Sequence, residues 1–442
     1  MSDPEFSTIH LRVRSYPVSE TAPLIRLVHP GNPLIWFRGG EGIVGLGETL
    51  RLETIGTDRI TRAASLWRRL AEQARIDDRV GLPGSGLVAF GTFAFADQST
   101  ASSVLVVPET IVGRRDGRSW VTRISRCAPE DHGKTHNWPT SCSTSRGDRG
   151  NPELPPAPPG LPESEPRGAL PHVSFSPGML PPEAYARAVA NALTSITVGD
   201  YDKVVLARDL TGTLPNKTDL RTVITRLADS YSDTWVFAVD GLIGASPETL
   251  VRVDHGTVSS RVLAGTTFRG GDPVSDRQLE RALVASPKNR AEHALAVVSA
   301  VESLSPHTAR LDTSPEPFTL KLPNLWHLAT DLKGILGDGS HALDLVAVMH
   351  PTAAVAGTPR EAAVAAIADL EGFDRRRYAG PVGWIDGDGD GEWAIALRCA
   401  QIDPDRTITA YAGCGIVRES EPQTEVAETD IKFQPIRDAF GR

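Results

Sequence analysis

The chain has 442 residues, of which 40% are hydrophobic, and is therefore long enough to bury a large core. Its formal net charge of -9 supplies no basic surface of the kind that neutralises phosphates, which excludes nucleic acid as an expected partner. No apolar run reaches the ~18 residues that a membrane-spanning helix needs, and the amino-terminal residues lack the pattern of a signal peptide. We therefore expect a cytoplasmic protein without a membrane segment.

The chain contains four cysteines, Cys127, Cys142, Cys399 and Cys414. They form no C-x-x-C pair, which is a common spacing in metal and redox sites. We expect them to be reduced thiols with structural roles.

Residues 1–126 are predicted to be rich in β-structure. Short apolar runs such as PLIWF, LVAFGTFAF and SSVLVVPE alternate with glycines and polar turns, and one helical pattern covers about residues 63–74. Residues 127–171 differ, because ten prolines fall between Pro129 and Pro171 among serine, glycine and charged residues. Such a composition buries too little apolar surface to offset the entropy of ordering, so we predict a flexible insert there.

Residues 172–442 are predicted to mix helices and strands. Helical patterns cover about residues 181–196, 220–230, 276–285, 287–304 and 359–370, and apolar runs such as KVVLAR and TITAYAGCGIV indicate strands. The run GPVGWIDGDGDGEWAIALRCAQI indicates two strands around a Gly-Asp turn. Hairpins joined to long helices, without regular βαβ alternation, predict an α+β fold in which large antiparallel sheets are packed by outer helices.

Two patterns resemble ligand-binding loops and are predicted to be hairpin turns instead. Gly40, Gly42 and Gly45 match G-x-G-x-x-G, but they are not followed by the helix and βαβ unit that a dinucleotide site requires. The acidic string from Asp386 to Asp390 begins like an EF-hand loop, but apolar strands flank it and the closing glutamate is missing. Neither pattern therefore predicts a cofactor or calcium site.

Carboxylates in two segments are candidates for metal binding. The segment SEPQTEVAETDIKF places Glu425, Glu428 and Lys432 at i, i+3 and i+7, on one face if the segment is helical. Glu292 lies on a predicted helix beside an apolar stripe that includes Val298. Such charges usually form a solvated face. Mg²⁺ prefers hard oxygen ligands and is commonly held by one or two carboxylates, so Glu292 with Glu428 would suit this ion.

Lys203 and Glu248 are candidates for proton transfer. Lys203 opens the predicted strand KVVLAR, where a lysine is more often exposed; burial near Arg208 or another cation would lower its pKa and make it a possible general base. Glu248 follows a proline at the end of an apolar run, where a turn can direct it into a cleft. A carboxyl group kept protonated by an apolar site can serve as a general acid.

Arg398 is predicted to need an anionic partner. We place it within a strand, in AIALRCA, where apolar neighbours make burial of its charge costly. A bound carboxylate would supply the anion. His327, in NLWHLAT, is by contrast most simply a core histidine with satisfied hydrogen bonds.

These residues and the strings around them resemble the chorismate-utilising enzyme family, which includes isochorismate synthase, salicylate synthase, anthranilate synthase component I and aminodeoxychorismate synthase component I. The matching strings are KVVLAR, GASPE, LAGT, AEH, LWHLAT, HPTAAVAG, DRRRYAGPVGW, ALRCA, AGCGIV and the final E-x-x-E-x-x-x-K. They occur in family order over about residues 201–432, and the ordered set is specific although no single string is. Weaker matches in GIVGLGE, FGTFAFAD and VLVVPE indicate that residues 1–126 share the same fold.

The resemblance implies a magnesium-dependent reaction on chorismate. Lys203 would activate water, and Glu248 would protonate the departing hydroxyl. Glu292 and Glu428 would hold Mg²⁺, with Glu425 acting through a bound water, and the metal would hold the ring carboxylate of the substrate.

Other matched positions imply the substrate-binding residues. Gly265, Thr266, Gly413 and Gly415 would line the carboxylate sites, Tyr378, Arg398 and Lys432 would hold the enolpyruvyl end, and His327 would approach the ring.

Two alanines indicate which reaction of the family to expect. Aminodeoxychorismate synthases of the common type carry a nucleophilic lysine where this chain has Ala264, and anthranilate and salicylate synthases usually have threonine where it has Ala354. Isochorismate synthases have alanine at the second position. The resemblance therefore favours an isochorismate synthase that acts as a monomer without a glutaminase subunit. A lyase that releases pyruvate, an aminating synthase and a non-catalytic relative stay open as alternatives.

Overall fold

The structure is a computed structural model that describes residues 9–19, 21–127 and 168–441. Nearly all of the insert predicted over residues 127–171 lies outside these ranges. Among the described residues, no helix combines the length and the hydropathy needed to cross a bilayer. Strands in the described part form two large sheets, against which the helices pack. This architecture confirms the predicted α+β fold with large antiparallel sheets.

The first sheet combines strands from both ends of the described chain. Its neighbouring strands are antiparallel, except for the parallel pair β1 and β5. Across the sheet the order is β10 (Ser176–Pro177), β11 (Lys203–Thr213), β23 (Thr407–Ile416), β22 (Cys399–Ile402), β13 (Leu242–Ser246), β12 (Trp235–Val239), β2 (Ile35–Arg38), β3 (Glu41–Leu46), β8 (Thr110–Arg115), β9 (Arg118–Cys127), β1 (His10–Val18) and β5 (Arg75–Asp78), and β19 (Gly357–Thr358) pairs with β11.

The second sheet is antiparallel throughout its described strands. It too contains strands from before and after the insert. Its order is β16 (Thr308–Thr313), β18 (Leu325–Leu336), β15 (Thr257–Phe268), β14 (Thr249–Asp254), β21 (Gly391–Ile395), β20 (Pro381–Asp386), β6 (Val88–Thr92), β7 (Ser103–Val107) and β4 (Leu50–Thr54), and β17 (Phe318–Lys321) pairs with β18.

The helices include every helix that the sequence predicts, to within a few residues. They are α1 (Leu24–Leu27), α2 (Arg59–Gln73), α3 (Pro182–Val198), α4 (Leu220–Ser230), α5 (Pro273–Ala285), α6 (Pro287–Leu304), α7 (Ala342–Met349), α8 (Arg360–Glu371) and α9 (Pro422–Ala439). The sequence does not predict α7, ALDLVAVM, because nearly all its residues are apolar and show no helical periodicity.

Two large buried cores and one small cluster hold the sheets and helices together. The main core contains five large indole side chains, those of Trp36, Trp67, Trp120, Trp384 and Trp393. A second core packs α4 against the first sheet. Both sheets therefore have an extensive apolar contact surface, which fixes their strand ends firmly enough to position a site.

Two neighbouring chain segments connect the first sheet with the second. The first joins β13 to β14 through Glu248, and the second joins β21 to β22 through residues 396–398. The N–H of Ile395 donates to the carbonyl of Glu248 at 3.1 Å, and the N–H of Ala245 donates to the carbonyl of Arg398 at 3.2 Å. The prediction that Arg398 lies within a strand is wrong, because it lies at the crossing with a φ of 48°. The chain has to bend there to change sheets.

The buried face of α6 differs from the predicted apolar stripe. Val298, which belongs to that stripe, is 54% exposed. The buried residues of the helix are His293, Ala296, Ala300 and Leu304. Apolar character alone predicts the wrong face, because a hydrogen-bonded histidine belongs to the buried one.

The glycine-rich and aspartate-rich patterns are hairpin turns, as predicted. Gly40 lies in the turn between β2 and β3. In the turn between β20 and β21, Asp386 Oδ1 accepts hydrogen bonds from the N–H groups of Asp388 and Asp390 at 3.1 and 3.0 Å. The carboxylate of Asp386 therefore stabilises its own turn.

Candidate active site

Most of the predicted site residues line one narrow cleft at the junction of the two sheets, with a cavity volume of about 50 Å³. Those that line it are Glu248, Gly265, Thr266, Glu292, His327, Ala354, Tyr378, Arg398, Gly413, Gly415 and Lys432. The other three lie just behind this lining. Lys203 and Glu428 form ion pairs with residues of the lining, and Glu425 lies beside Glu428.

Glu248 is a buried carboxyl group in the loop between β13 and β14. Burial raises its pKa to about 8, although the nearby cations Lys203 and Arg398 act in the opposite direction. At neutral pH the group is therefore mostly protonated and can donate a proton.

Lys203 is the first residue of β11 and is completely buried. Its Nζ lies 3.3 Å from Glu292 Oε1 and makes no hydrogen bond within the described part of the chain. Arg208, which the sequence suggests as a possible cationic neighbour, does not approach Lys203. Strand alternation directs Arg208 to the other face, where it donates to Thr429 and Asp430 at 2.7 and 2.8 Å. The amine of Lys203 thus keeps its hydrogen-bonding capacity for a ligand.

Gly415 makes room for the pair of Lys203 and Glu292. It lies on β23, opposite Val205 of β11. A Cβ atom at this position would lie 2.3 Å from Glu292 Oε1 and 2.9 Å from Lys203 Cε. The close approach of these two side chains therefore requires glycine.

Arg398, His327 and Thr266 form a hydrogen-bonded chain along one wall of the cleft. Arg398 Nη2 donates to His327 Nε2 at 3.4 Å, and His327 Nδ1 lies 3.0 Å from Thr266 Oγ1. Burial and the charge of Arg398 hold the pKa of His327 well below its usual value, so the ring is neutral. Because a guanidinium only donates, the ring proton belongs on Nδ1. His327 is therefore both a satisfied buried histidine and part of the cleft.

Arg398 has no carboxylate partner within 4 Å among the described residues. Only 9% of the residue is exposed, and burial lowers the pKa of its guanidinium. A buried guanidinium without a counter-ion is costly. A carboxylate bound in the cleft would supply the missing anion.

A β-bulge at Gly265 places Thr266 in the cleft wall. The pairing of β15 with β18 shifts register between Ala264 and Thr266. Gly265 has a φ of 78°, which favours glycine. The N–H of Thr266 donates to Asn289 Oδ1 at 3.2 Å. Asn289 of α6 therefore orients the bulge.

The two predicted metal ligands of α9 each pair with a lysine. Glu425 Oε1 lies 2.7 Å from Lys288 Nζ, and Glu428 Oε1 lies 2.6 Å from Lys432 Nζ. Burial raises the pKa of Glu425, whereas the pair with Lys432 outweighs burial and lowers the pKa of Glu428. Oxygens of both carboxylates and Cys414 Sγ lie within 4.8 Å of one another. Converging carboxylates are the hard donors that Mg²⁺ takes, so the residues present fit such an ion.

Lys432 and Tyr378 complete the polar wall. Lys432 Nζ donates to the carbonyl of Gly413 at 2.9 Å. Burial raises the pKa of Tyr378 to about 12, so its phenol stays protonated, and its ring stacks on that of Tyr411 at 5.1 Å. Both side chains can therefore donate hydrogen bonds at neutral pH.

The cysteines of the described part, Cys127, Cys399 and Cys414, carry free thiols, in agreement with the expectation of reduced cysteines. Cys142 lies outside the described residues. The sequence does not predict that Cys414 lies beside two of the candidate metal ligands. The string AGCGIV contains it, but only the approach of α9 shows its neighbours.

Sequence reasoning also misses the residue that holds α6 in place. His293 Nδ1 lies 3.1 Å from the carbonyl of Ala264, and its Nε2 lies 2.8 Å from Thr330 Oγ1. These bonds fix α6 to β15 and β18 and so place the adjacent Glu292. The string AEH includes His293, but only its partners in three dimensions show this role.

A buried ion pair ties β11 to the loop that carries Ala354. Arg375 Nη2 lies 2.5 Å from Glu371 Oε1. Arg375 also donates to the carbonyls of Val355 and Val205 at 2.9 and 2.6 Å, and Glu371 accepts from the N–H of Ala207 at 2.7 Å. The i,i+4 spacing could indicate the pair, but not its burial or its backbone partners.

Comparison with known families identifies the family of the chain. The family model for chorismate binding enzymes matches residues 36–441. The chain therefore belongs to the chorismate binding enzyme family, and the resemblance inferred from its motifs is confirmed.

Three similar proteins are isochorismate synthases. The chain is 38% identical over 272 residues to isochorismate synthase DhbC of Bacillus subtilis (strain 168), covering 59% of this chain and 68% of the relative. It is 38% identical over 262 residues to isochorismate synthase EntC of Escherichia coli (strain K12), covering 58% and 67%. Among solved structures, MenF, the menaquinone-specific isochorismate synthase from Escherichia coli, aligns over 98% of this chain and 95% of its own, with a TM-score of 0.75 and 25% identity.

Proposed function

We propose that this chain is an isochorismate synthase, which converts chorismate reversibly into isochorismate. One arrangement carries the proposal: a protonated carboxyl group, Glu248, a buried amine, Lys203, and an unpaired guanidinium, Arg398, meet at one cleft. They supply an acid, a possible base and a receptor for a carboxylate. The isochorismate synthases to which the chain is similar support the same assignment.

In the proposed reaction, neutral Lys203 takes a proton from a water molecule as the water oxygen bonds to C2 of chorismate. The ring double bond shifts, the bond between C4 and its hydroxyl oxygen breaks, and Glu248 gives its proton to the departing hydroxyl. One water enters and one leaves, so the product is an isomer and no redox cofactor is needed. Proton exchange with solvent restores Lys203 and Glu248.

The proposed cofactor is Mg²⁺, held by Glu292 and Glu428, with Glu425 acting through a bound water. When bound, the ion would neutralise the ring carboxylate of chorismate. The convergence of Glu428 and Glu425 and the position of Glu292 in the cleft lining support this assignment.

The remaining polar wall is proposed to bind the substrate. Tyr378, Arg398 and Lys432 would hold the enolpyruvyl carboxylate, because all three can donate hydrogen bonds and two are cationic. The backbone at Gly265, Thr266, Gly413 and Gly415 would line the carboxylate sites. His327, held neutral, would face the ring.

Two alanines of the cleft favour water as the nucleophile. Ala264 and Ala354 both line it. Ala264 has no amine that could attack the ring, which argues against a covalent lysine route. Ala354 lacks the hydroxyl group that anthranilate and salicylate synthases usually have at this position. A water nucleophile needs no ammonia, so we propose that the chain acts without a glutaminase subunit. We also propose that it is a cytoplasmic monomer.

The test is to incubate the purified protein with chorismate and Mg²⁺ and to separate the products by chromatography. We expect isochorismate without pyruvate. Lys203→Ala should lower turnover at least 1000-fold, as expected for loss of a general base, whereas Lys217→Ala at an exposed position should not change it.

Other products would assign other reactions. Salicylate with pyruvate would indicate the lyase, and ammonia-dependent formation of an aminated product would indicate an aminating synthase. Absence of turnover, or full activity of Lys203→Ala, would contradict the proposal.

A further inference from the structure

Lys288 is a cation of the candidate metal site to which the proposed reaction gives no role. It lies in the first turn of α6, four residues before Glu292, so both side chains project from the same face of the helix. Its Nζ lies 2.7 Å from Glu425 Oε1. The surrounding carboxylates, Glu425 first and then Glu428 and Glu292, outweigh burial and raise the pKa of Lys288. Its ammonium group therefore interacts electrostatically with all three predicted metal ligands.

Each carboxylate of this cluster has a lysine neighbour without a metal ion. Glu292, Glu425 and Glu428 are paired with Lys203, Lys288 and Lys432, at 3.3, 2.7 and 2.6 Å respectively. A divalent cation that joins these carboxylates adds two positive charges to a largely buried group that already contains the ammonium groups of Lys288 and Lys432. Like charges repel strongly where water is excluded, so one of the lysines has to weaken its contact.

Lys288 is the lysine with the freedom to do so. Its side chain is 25% exposed, compared with 0% for Lys203 and 10% for Lys432. Lys432 is also fixed by its hydrogen bond to the carbonyl of Gly413. A long, flexible and partly exposed side chain can move its ammonium into solvent at little cost.

We propose that Lys288 is a counter-cation that competes with Mg²⁺ for the carboxylates, so that it weakens metal binding and stabilises Glu425 when the metal is absent. This inference rests on the proposed function, because it takes Mg²⁺ as the ion that these carboxylates bind. It assigns Lys288 as a positioning residue that acts through Glu425.

Isothermal titration of the purified protein with MgCl₂, without chorismate, tests the proposal. Lys288→Met should bind Mg²⁺ at least tenfold more tightly than the unmodified protein, because the competing charge is gone. Lys288→Arg keeps the charge and should bind within about threefold of the unmodified protein. Lys333→Met, which removes an exposed lysine of β18, is the matched control and should change nothing.

Thermal unfolding supplies a second measurement that does not depend on turnover. In EDTA, Lys288→Met should melt at a lower temperature than the unmodified protein, since Glu425 then lacks its counter-charge. Added Mg²⁺ should raise the melting temperature of the variant by more than that of the unmodified protein.

The outcomes separate this inference from the proposed function. Equal or weaker Mg²⁺ binding by Lys288→Met, or no binding by either protein, overturns the inference even where chorismate is converted. Tighter binding by the variant in a protein that does not convert chorismate would support the inference and contradict the proposed function.

Discussion

Glu248 is protonated because the crossing between β13 and β14 buries it, and this environment affects stability as well as chemistry. Its pKa is about 8 in the folded protein, whereas an unfolded glutamate ionises near 4.5. The folded state therefore binds this proton more tightly than the unfolded state does. The resulting stabilisation is fully present below pH about 4.5 and is lost as pH rises to about 8.

We predict that Glu248→Gln removes this pH dependence. The amide is neutral at every pH and close in shape to the protonated acid. At pH 8 the variant should be more stable than the unmodified protein by on the order of 3 kcal/mol, with little difference at pH 4.5. Urea unfolding at several pH values measures this difference, and turnover should fall at least 100-fold.

Glu302→Gln is the control, because Glu302 is exposed on α6. It should leave the stability profile unchanged. A stability profile of Glu248→Gln that still declines between pH 4.5 and 8 as steeply as that of the unmodified protein would show that another group is responsible.

At the scale of single elements, polar contacts hold strand β11 beside the site. An apolar sequence pattern does not reveal such contacts. Its first residue, Lys203, faces Glu292, and its middle is bonded to the buried pair of Glu371 and Arg375. Arg375 also stacks over the ring of Phe95 at 4.5 Å. This pair links β11, α8 and the loop of Ala354, which all meet at the cleft.

We predict that Arg375→Met lowers the free energy of unfolding by about 3–5 kcal/mol, because it leaves the charge of Glu371 buried without its counter-charge. The double variant Glu371→Gln with Arg375→Met should lose less than the sum of the two single losses. Chemical unfolding of all three variants measures the coupling.

The pair of Arg310 and Asp312, whose side chains are 72% and 61% exposed, provides the contrast. Arg310→Met should change stability by less than about 0.5 kcal/mol. Strict additivity in the double variant would contradict the proposed dependence of Glu371 on Arg375.

At the scale of the whole molecule, Glu392 joins the two sheets. Its carboxylate is 2% exposed and accepts from Trp36 Nε1 of the first sheet at 2.9 Å and from Trp384 Nε1 of the second at 3.3 Å. Arg115 of β8 and Arg252 of β14 lie 2.9 and 3.3 Å from the same group. One buried carboxylate thus interacts with hydrogen-bond donors from both sheets.

We predict that Glu392→Ala destabilises the protein by about 3–5 kcal/mol, because two indole N–H groups and Arg115 lose their acceptor. Thermal unfolding measures the loss, and the Michaelis constant for chorismate should stay unchanged at temperatures where the variant is folded. Glu316→Ala, at a residue whose side chain is 78% exposed, is the control. A loss for Glu392→Ala no larger than that of the control would show that the sheets do not depend on this carboxylate.

The sequence alone determined the fold class, the positions of most helices and many of the residues that line the cleft. Helical and strand periodicities are local properties, so α3, α4 and α6 follow directly from them, and ordered motifs identify the family. Local patterns do not show which face a helix buries when that face includes a hydrogen-bonded histidine, as His293 is. They also do not show that the chain changes sheet within an apolar run, as it does at Arg398.

Only the tertiary structure decided which charges face one another. Lys203 meets Glu292 instead of Arg208, and Lys288 reaches Glu425 across 137 positions of the chain. The pKa of Glu248 follows from burial at a junction of two sheets, and no stretch of sequence holds that information. Electrostatic interactions depend on distance and on exclusion of water in three dimensions, which is why the residue types could be predicted and their partners could not.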